Sequence, residues 1–430
     1  DTPEMRHDWA QYYDKVEDMD TWIGSVLQEL EESGEAENTI IFYYGDHGGT
    51  LARSKRYVYE TGTRVPFIVY IPEKYKHLYP AEQAGSEVNR IISFVDLVPT
   101  LLSITDQDIP DYLQGKAFLG KQKTADPEYA FMFRDRMDER FDMSRAVRDH
   151  KFRYIRNYMP YRVYGQYLAY LWRAPSIRSW EAAYKAGQCN DTQSIFWNTK
   201  PAEELYDTEN DPWEVNNLAA NPEYRDVLER MRSANRNWML EIKDTGFFPE
   251  GQLVSRMDGT AAYDYMRNNE VQLESIIDAA ELASLATKNE IPELLKLTQS
   301  EDAALRYWGT TGLLILGTDA KTESETLRSL LEDPSPNVAT VAAEALYNLG
   351  EKSIAQKALI KQLQSPISAA RNHVLNTIDC VDDNSKEIKE ATIALAKEQR
   401  QVKRPGFDLW ACRELLKKWD IDPEAHGIKF

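Results

Sequence analysis

The spacing of hydrophobic residues predicts one long helix and two strands at the start of the chain. Residues 4–33 repeat apolar side chains at three- and four-residue steps with Glu, Asp and Lys between them, which predicts an amphipathic helix. Residues 39–44 are β-branched and aromatic and end at Gly45, a pattern typical of a buried strand in a parallel sheet. A second apolar run at 65–72 has proline near its start and at its end, which favours a short strand near a sheet edge.

Two further patterns follow along the chain. Apolar and polar residues alternate between 131 and 161 and again at 203–207, which predicts antiparallel strands with one wet face. Glycine and proline at 246–251 indicate a linker, after which the chain is helical and rich in Leu and Ala. An apolar run at 313–317 recurs 33 residues later at 346–350, and a weaker copy follows. Residues 270–400 therefore resemble HEAT-type helical repeats, which stack into a short solenoid.

Composition narrows the class of protein. The 430 residues carry a formal net charge of −19, which argues against nucleic-acid binding by the chain as a whole. We expect no membrane span, because no apolar run is long enough. Cys189, Cys380 and Cys412 are widely spaced and indicate neither a metal site nor a disulfide framework. The sequence begins at Asp1 without Met or a signal peptide, so we expect that an upstream segment has been removed.

Asp46 and His47 are the first candidates for chemistry. They follow directly on the strand at 39–44, and ligands of open α/β sheets bind beyond the carboxyl ends of the strands. Gly48 and Gly49 allow the backbone to approach an anion or a metal closely. The pair is a metal-site candidate, and a satisfied turn is the alternative.

Cations follow in the loop between the two predicted strands. Arg53, Lys55, Arg56 and Arg64 would lie at the same sheet edge and suit an oxyanion such as sulfate or phosphate. By itself the loop could equally be a solvated basic loop. Residues 131–161 form a second basic stretch, which is either a positive patch for an anionic substrate or a solvated strand face.

Several segments, in this order, are similar to the sulfatases of the alkaline-phosphatase superfamily. Asn-Thr-Ile-Ile at 38–41 with Asp-His-Gly at 46–48 resembles the second metal-binding segment of that family. Ser-Lys-Arg at 54–56, followed by residues 59–66, resembles its sulfate-binding lysine segment. Residues 95–102 and 204–218 resemble two further family signatures. Within that family, the sequence most resembles bacterial enzymes related to heparan-type sulfatases, which act on sulfated sugars.

The resemblance implies a fold class and three domains. The fold would be α/β: a partial alkaline-phosphatase-like mixed sheet between helices, an antiparallel subdomain and an all-α HEAT-like domain. Residues 1–130 would be the C-terminal half of the sulfatase core, 131–250 the antiparallel subdomain with an insertion, and 251–430 the helical repeats. Asp96, at the start of the predicted helix at 97–102, is interpreted as an N-cap rather than a catalytic acid.

The resemblance also implies roles. Asp46 and His47 would be ligands of Ca²⁺, and Lys55 would be the catalytic and sulfate-binding cation. Because an imidazole is an unusual ligand for a hard cation, His47 could instead hydrogen-bond the substrate or the nucleophile. Four residues fall where family members vary in sugar recognition and are predicted to contact substrate, namely Arg134, Arg136, Asp138 and Glu139.

The family nucleophile is a formylglycine formed from Cys or Ser in a C/S-x-P-S/A-R segment, and none of the three cysteines here lies in such a segment. The nucleophile is expected on a missing N-terminal sulfatase segment, which would be a partner of this chain beside the sulfated carbohydrate substrate. Calcium-dependent removal of sulfate from a sulfated sugar or polysaccharide is thus the expected function. The alternatives are a phosphate mono- or diester hydrolase of the same superfamily and a non-catalytic binding scaffold built on the repeats. A periplasmic or secreted location is implied by the substrate class.

Overall fold

The computed structural model describes residues 1–429, which form a four-stranded antiparallel sheet and a large helical region. Their buried apolar residues form several clusters, the largest of them in the helical region. A separate two-stranded ribbon lies near the start of the chain. The strands are β1 (Ile41–Tyr44), β2 (Phe67–Tyr70), β3 (Ala130–Arg134), β4 (Ser144–Arg148), β5 (Phe152–Asn157) and β6 (Glu203–Asp207). No helix in residues 1–429 is long and apolar enough to cross a membrane.

Helix α1 (Pro3–Glu32) confirms the predicted long helix but buries none of its residues. It begins at Thr2, whose hydroxyl accepts a hydrogen bond from the Met5 amide, and proline occupies its first turn. Its aromatic and aliphatic side chains are left on the surface, and Trp22 is 65% exposed. Thr2 and Asp8 contact Ser179 and Ser176, but these contacts leave the predicted apolar stripe of α1 partly exposed along its length.

The prediction of a buried parallel strand at 39–44 is wrong. Strand β1 pairs antiparallel with β2, with Phe42 opposite Val69, and the two form a ribbon that is only half-buried. The chain reverses between them through the short helix α2 (Glu60–Thr63), so no right-handed crossover forms. A short apolar run specifies an extended backbone, but the direction of its pairing depends on the connection.

Strands β3 to β6 form an antiparallel sheet in sequence order, as the alternating pattern predicts. One face packs Val147, Tyr154 and Leu205 against α6 (Arg225–Ile242). The basic residues Arg145 and Arg153 do not lie on a solvent-exposed face of the sheet, because both are almost fully buried. Both predicted alternatives, a positive patch and a solvated strand face, are therefore wrong for these two arginines. Arg145 pairs with Asp135 and Asp244, and Arg153 pairs with Glu60 and Glu214. Three further helices lie between β2 and β6 along the chain: α3 (Leu97–Ile104), α4 (Pro175–Lys185) and α5 (Asp191–Ser194).

The region after α6 is helical, as predicted. The helices at the start of the three sequence copies begin at Ala303, Pro336 and Ser368, and each is followed by a second helix. Small residues such as Ala342 and Ala343 are fully buried and let neighbouring helices pack closely. The HEAT type of these repeats stays a prediction. The helices are α7 (Glu250–Met257), α8 (Ala262–Asn268), α9 (Leu273–Leu285), α10 (Ile291–Thr298), α11 (Ala303–Leu316), α12 (Ser324–Leu330), α13 (Pro336–Asn348), α14 (Lys352–Gln362), α15 (Ser368–Cys380), α16 (Lys386–Arg400) and α17 (Phe407–Lys418).

The segment at 246–251, where the sequence indicates a linker, is packed rather than free. Phe247 is fully buried, and its carbonyl accepts a hydrogen bond from the Trp308 indole at 2.9 Å. Tyr158 from the sheet region lies in the same apolar cluster as Trp308. Arg162 forms a bidentate ion pair with Glu344 of α13 at 2.5 and 2.7 Å. The sheet region and the helices thus share one core.

Candidate functional site

The loop between β1 and β2 folds back on itself beside Asp46 and His47. The Gly48 amide donates to the Gly62 carbonyl at 3.0 Å, and the Lys55 amide donates to the Gly49 carbonyl at 3.1 Å. A Cβ at Gly48 would lie 1.9 Å from the Thr61 carbonyl oxygen, so only glycine fits this close approach. The fold of the loop therefore returns Lys55 to the segment that carries Asp46 and His47.

Asp46 presents a carboxylate to solvent, with its side chain 81% exposed. The ring of His47 lies beside it, with Nε2 3.4 Å from an Asp46 oxygen and Nδ1 2.8 Å from the Gly48 carbonyl oxygen. A proton on Nδ1 would be donated to that carbonyl, which leaves the Nε2 lone pair free. Both side chains can therefore act as ligands, and neither is a buried, satisfied turn residue.

This pair makes only part of a metal site. No group of three or more His, Cys, Asp or Glu side chains suited to a metal ion occurs between residues 1 and 429. Ca²⁺ takes six to eight oxygen ligands in proteins. An exposed carboxylate fits such a shell, so Asp46 suits calcium, but further oxygens must come from outside the described residues or from solvent.

Lys55 is a half-buried cation with a phenol as its neighbour. Its Nζ lies 3.4 Å from the Tyr170 hydroxyl and 4.7 Å from the centre of that ring. Within residues 1–429 no carboxylate lies within ion-pair distance of Lys55. The hydrogen bonds from Thr50 and Lys55 lower the pKa of Tyr170. A half-buried ammonium without a carboxylate partner is available to an anion.

The residues on either side of Lys55 are strained. Arg53 and Arg56 have φ angles of 59° and 80°, in the left-handed region that costs a side-chain-bearing residue about 1 kcal/mol or more. Arg53 donates to the Trp213 and Glu214 carbonyls, both at 2.6 Å. Arg56 pairs with Asp138 at 2.5 Å, which itself has a φ of 50°. These contacts hold the loop in a conformation that the local sequence does not favour.

A buried ion cluster anchors the far end of the loop. Glu60 contacts Arg148 and Arg153, and its amide donates to Glu214 at 2.7 Å. Although burial disfavours a charge there, Arg153 and Arg148 lower the pKa of Glu60. Burial raises the pKa of Glu214 to about 7, even though Arg153 lies 2.9 Å away. The two carboxyl groups therefore differ in protonation near neutral pH: Glu60 is charged, whereas Glu214 is only partly ionised.

The four residues predicted to contact substrate divide into two groups. Arg134 is buried, with its guanidinium over the Tyr57 ring and 3.6 Å from Asp142, and Glu139 is buried and accepts the Ala169 amide. Arg136 and Asp138 are partly exposed. Arg136 pairs with Glu250 at 2.6 Å, and Asp138 joins this segment to Arg56. Substrate contact stays a prediction for all four, and the exposure of Arg136 and Asp138 favours these two.

Two neighbours of the loop could not be assigned from the sequence. Tyr170 meets Lys55 across 115 positions, and Glu214 meets Glu60 across 154 positions, so no local pattern marks either residue. Asp96 directly precedes α3, as expected of an N-cap, but its side chain forms no capping hydrogen bond to that helix. Its carboxylate accepts the Ser93 amide in a capping box and the Lys116 amide at 2.8 Å.

Comparison with known proteins adds relatives to this geometry. Residues 2–107 match the family model described as Sulfatase. An ulvan-active sulfatase of Formosa agariphila is 40% identical over 258 residues, which cover 60% of this chain and 42% of that protein. The human N-sulphoglucosamine sulphohydrolase is 28% identical over 272 residues, covering 60% of this chain and 52% of that protein. This chain thus spans about half the length of these curated relatives, or less.

A solved structure of a protein in complex with its substrate, D-glucosamine-2-N,6-O-disulfate, is 23% identical. The match covers 52% of this chain and 38% of that one, with a TM-score of 0.37. The family match covers the segment that carries Asp46, His47 and Lys55, and the relatives extend the similarity over more than half of the chain. Residues 2–107 therefore match the Sulfatase family model, and the chain is similar to sulfatases over 60% of its length.

Proposed function

We propose that this chain forms one wall of the active site of a sulfuric ester hydrolase that removes sulfate from a sulfated sugar or polysaccharide. Asp46, His47 and Lys55 line that wall. The observation that carries the proposal is the Lys55 ammonium, which has no carboxylate partner among residues 1–429 and lies in a strained, anchored loop that returns to the segment of Asp46 and His47. The match of residues 2–107 to the Sulfatase family model supports the same reaction class.

Lys55 would bind the sulfuryl group and neutralise the negative charge that grows on its oxygens as the ester bond breaks. A cation already fixed in place costs no reorganisation at that moment, which is why such groups lower barriers by several kcal/mol. Tyr170 and the arginine anchors would fix the position of Lys55. Arg136 and Asp138, which are partly exposed, would contact the sugar.

Asp46 would hold Ca²⁺, with His47 as a second ligand or as a hydrogen-bond donor to substrate. The ion, when bound, would supply Lewis-acid stabilisation of a sulfate oxygen, and a formylglycine outside this chain would supply the nucleophile. The fit of Asp46 rests on its exposed carboxylate, which accepts no hydrogen bond from another side chain in the described part of the protein.

The partner of this wall would be the remaining segment of the sulfatase domain. Helix α1 leaves its apolar stripe uncovered, and β1–β2 leaves Tyr44, Ile68 and Tyr70 exposed on a ribbon with two free edges. Such surfaces are costly in water and mark an interface. A segment that covers them would also bring further ligands to Asp46. Since polymeric sulfated sugars occur outside the cytoplasm, we propose a periplasmic or secreted location.

The helical region would act as part of the enzyme body rather than as a separate binding scaffold. Arg162–Glu344, Arg140–Asp379 and the hydrogen bond from Tyr167 to Glu414 join it to the sheet region. A module that shares a core in this way is not free to move as an independent docking domain.

Replacement of Lys55 by alanine tests the proposed reaction. In the full-length protein, Lys55→Ala should lower kcat/KM for a sulfated sugar by at least about 100-fold, because a preorganised cation is lost. Lys74→Ala is the matched control, since Lys74 is an exposed lysine whose Nζ donates only to Asn38. Near-wild-type turnover by Lys55→Ala, or faster turnover of phosphate mono- or diesters than of sulfate esters, would contradict the proposal.

Calcium binding tests the metal role separately. Asp46→Asn should weaken Ca²⁺ binding to the full-length protein at least tenfold in a calorimetric titration, because a charged ligand becomes neutral. Asp18→Asn, on the exposed face of α1, serves as the control. Equal affinities for Ca²⁺ in the wild type and Asp46→Asn would remove Asp46 from the metal site.

A further inference from the structure

A cavity lies between the edge strand β3, the end of α6 and helix α8. Its volume is about 460 Å³, large enough for a sugar unit. Three aromatic rings line it: Phe133 is 66% exposed, Tyr263 is 42% exposed, and Trp238 is held by stacking on Phe131 at 4.9 Å. Rigid aromatic faces left open in a concave site suit the C–H faces of a carbohydrate.

The charge that remains free in this cavity is positive. Its carboxylates are already paired: Asp135 and Asp244 with Arg145, and Glu250 with Arg136. Lys243 and Arg267, in contrast, have no carboxylate within 4.0 Å among the 429 described residues. Lys243 donates to the Met266 carbonyl at 3.1 Å, and the Arg267 guanidinium stacks on the Tyr263 ring at 3.6 Å. In a protein with a net charge of −19, two unpaired cations beside aromatic rings favour an anionic ligand.

Lys243 also occupies a strained position. It ends α6 with φ 56° and ψ 58°, a left-handed conformation in which helices usually place glycine or asparagine. Backbone strain of about 1 kcal/mol at a residue that presents a charge to a cavity is a pointer to function. Glycine at this position would relieve the strain and remove the charge.

The cavity adjoins the candidate active site through one short segment. Arg136 lines the cavity and donates to the Asp138 carbonyl at 2.8 Å, while the Asp138 carboxylate pairs with Arg56, the neighbour of Lys55. The partly exposed residues Arg136 and Asp138 thus connect the lining of the cavity to the loop that carries Lys55.

We propose that this cavity binds a second, anionic sugar unit of the polysaccharide whose sulfate is removed at the Lys55 site, with Lys243 and Arg267 contacting its anionic group and Phe133 and Tyr263 its ring. This inference rests on the proposed function for the identity of the polymer. The anion on the second sugar is a sulfate or a uronic carboxylate, which share the same recognition by lysine and arginine.

The test is binding of oligosaccharides to the full-length protein, measured by calorimetry without turnover. Lys243→Gly and Arg267→Ala should each weaken binding of a sulfated oligosaccharide about tenfold and raise KM for the polymer with little change in kcat. Lys288→Ala, an exposed lysine paired with Asp319, is the control. Lys243→Gly should also keep or raise the thermal midpoint, which separates lost binding from misfolding.

Three ligands identify the anion: the sulfated oligosaccharide, its desulfated counterpart and an unsulfated uronate oligosaccharide. Lys243-dependent binding of the first assigns a sulfate, and of the third a carboxylate. Unchanged affinity in both variants, or equal losses for a single sugar sulfate and an oligosaccharide, would overturn the inference. Sulfate-ester turnover without any effect of these variants would leave the proposed function standing, whereas Lys243-dependent binding without turnover would reject the proposed function alone.

Discussion

The first hundred residues and the helical region both contain amphipathic helices, but these helices are packed very differently. Helix α1 has an apolar stripe and buries no residue, whereas α13 buries ten of its thirteen residues. Strands β1 and β2 form a half-exposed ribbon, while the helices from α9 to α17 share one continuous core with the sheet region. An amphipathic pattern therefore predicts that a helix has an apolar face, but it does not predict which element covers that face.

The comparison also separates the two kinds of polar group. In the first region, Asp46 and Lys55 have no ion-pair partner among the 429 described residues other than His47 beside Asp46. In the helical region, Arg371 and Arg306 are each paired with a carboxylate, and Glu344 pairs with Arg162 of the sheet region. Paired, buried charges hold a fold together, whereas a cation without a carboxylate is available to a ligand.

The largest expected effect is on the ion pair at the centre of the packed region. Glu344→Gln should lower the free energy of unfolding by about 3–5 kcal/mol, because it leaves the Arg162 guanidinium buried without its counter-charge. Glu332→Gln breaks an exposed pair with Lys361 and should cost under about 1 kcal/mol. Urea denaturation of the chain measures both values, and similar losses in the two variants would contradict the contrast.

A matched pair of leucines tests the packing difference directly. Leu346→Ala should cost about 2–5 kcal/mol, because it opens a cavity in a fully buried site. Leu27→Ala, on the exposed stripe of α1, should cost under about 0.5 kcal/mol in the same 430-residue chain. If the full-length protein covers that stripe, Leu27→Ala should cost clearly more there. An equal cost in both proteins would remove the proposed interface.

Acidification should weaken the helical region through His373. Burial lowers the pKa of His373 to about 4 from an ordinary value near 6.5. The unfolded chain therefore binds a proton between these values that the folded chain does not, so stability falls as the pH drops from 6.5 to 4, by roughly 2 kcal/mol given partial exposure. His373→Asn should flatten this pH dependence of the denaturation midpoint. An unchanged slope would show that His373 does not carry it.

The smallest effect is expected at the contact between the lysine loop and the sheet region. Tyr170→Phe removes the hydroxyl beside Lys55 and should lower kcat/KM about three- to tenfold in the full-length protein, since Lys55 keeps its charge but loses a positioning contact. Tyr184→Phe, whose hydroxyl lies in the same insertion beside Asn198, is the control. A loss as large as that of Lys55→Ala would instead assign Tyr170 to the reaction itself.

Local patterns were sufficient for the elements and for the order of the motifs. The long helix, the four antiparallel strands and the helical C-terminal region lie where periodicity predicts them. The Asp46–His47 pair and Lys55 come together because Gly48, Gly49 and Gly62 close the loop between them. These are properties of short stretches, in which each residue is constrained by near neighbours.

The sequence by itself thus determined which segments are helices and strands and which family motifs the chain carries. The tertiary structure alone decided that β1 pairs antiparallel, that Arg145 and Arg153 are buried ion-pair partners, and that Tyr170 meets Lys55. The reason is separation along the chain. A periodic pattern involves about a dozen neighbouring residues. Lys55 and Tyr170, in contrast, lie 115 positions apart, so only packing brings them together.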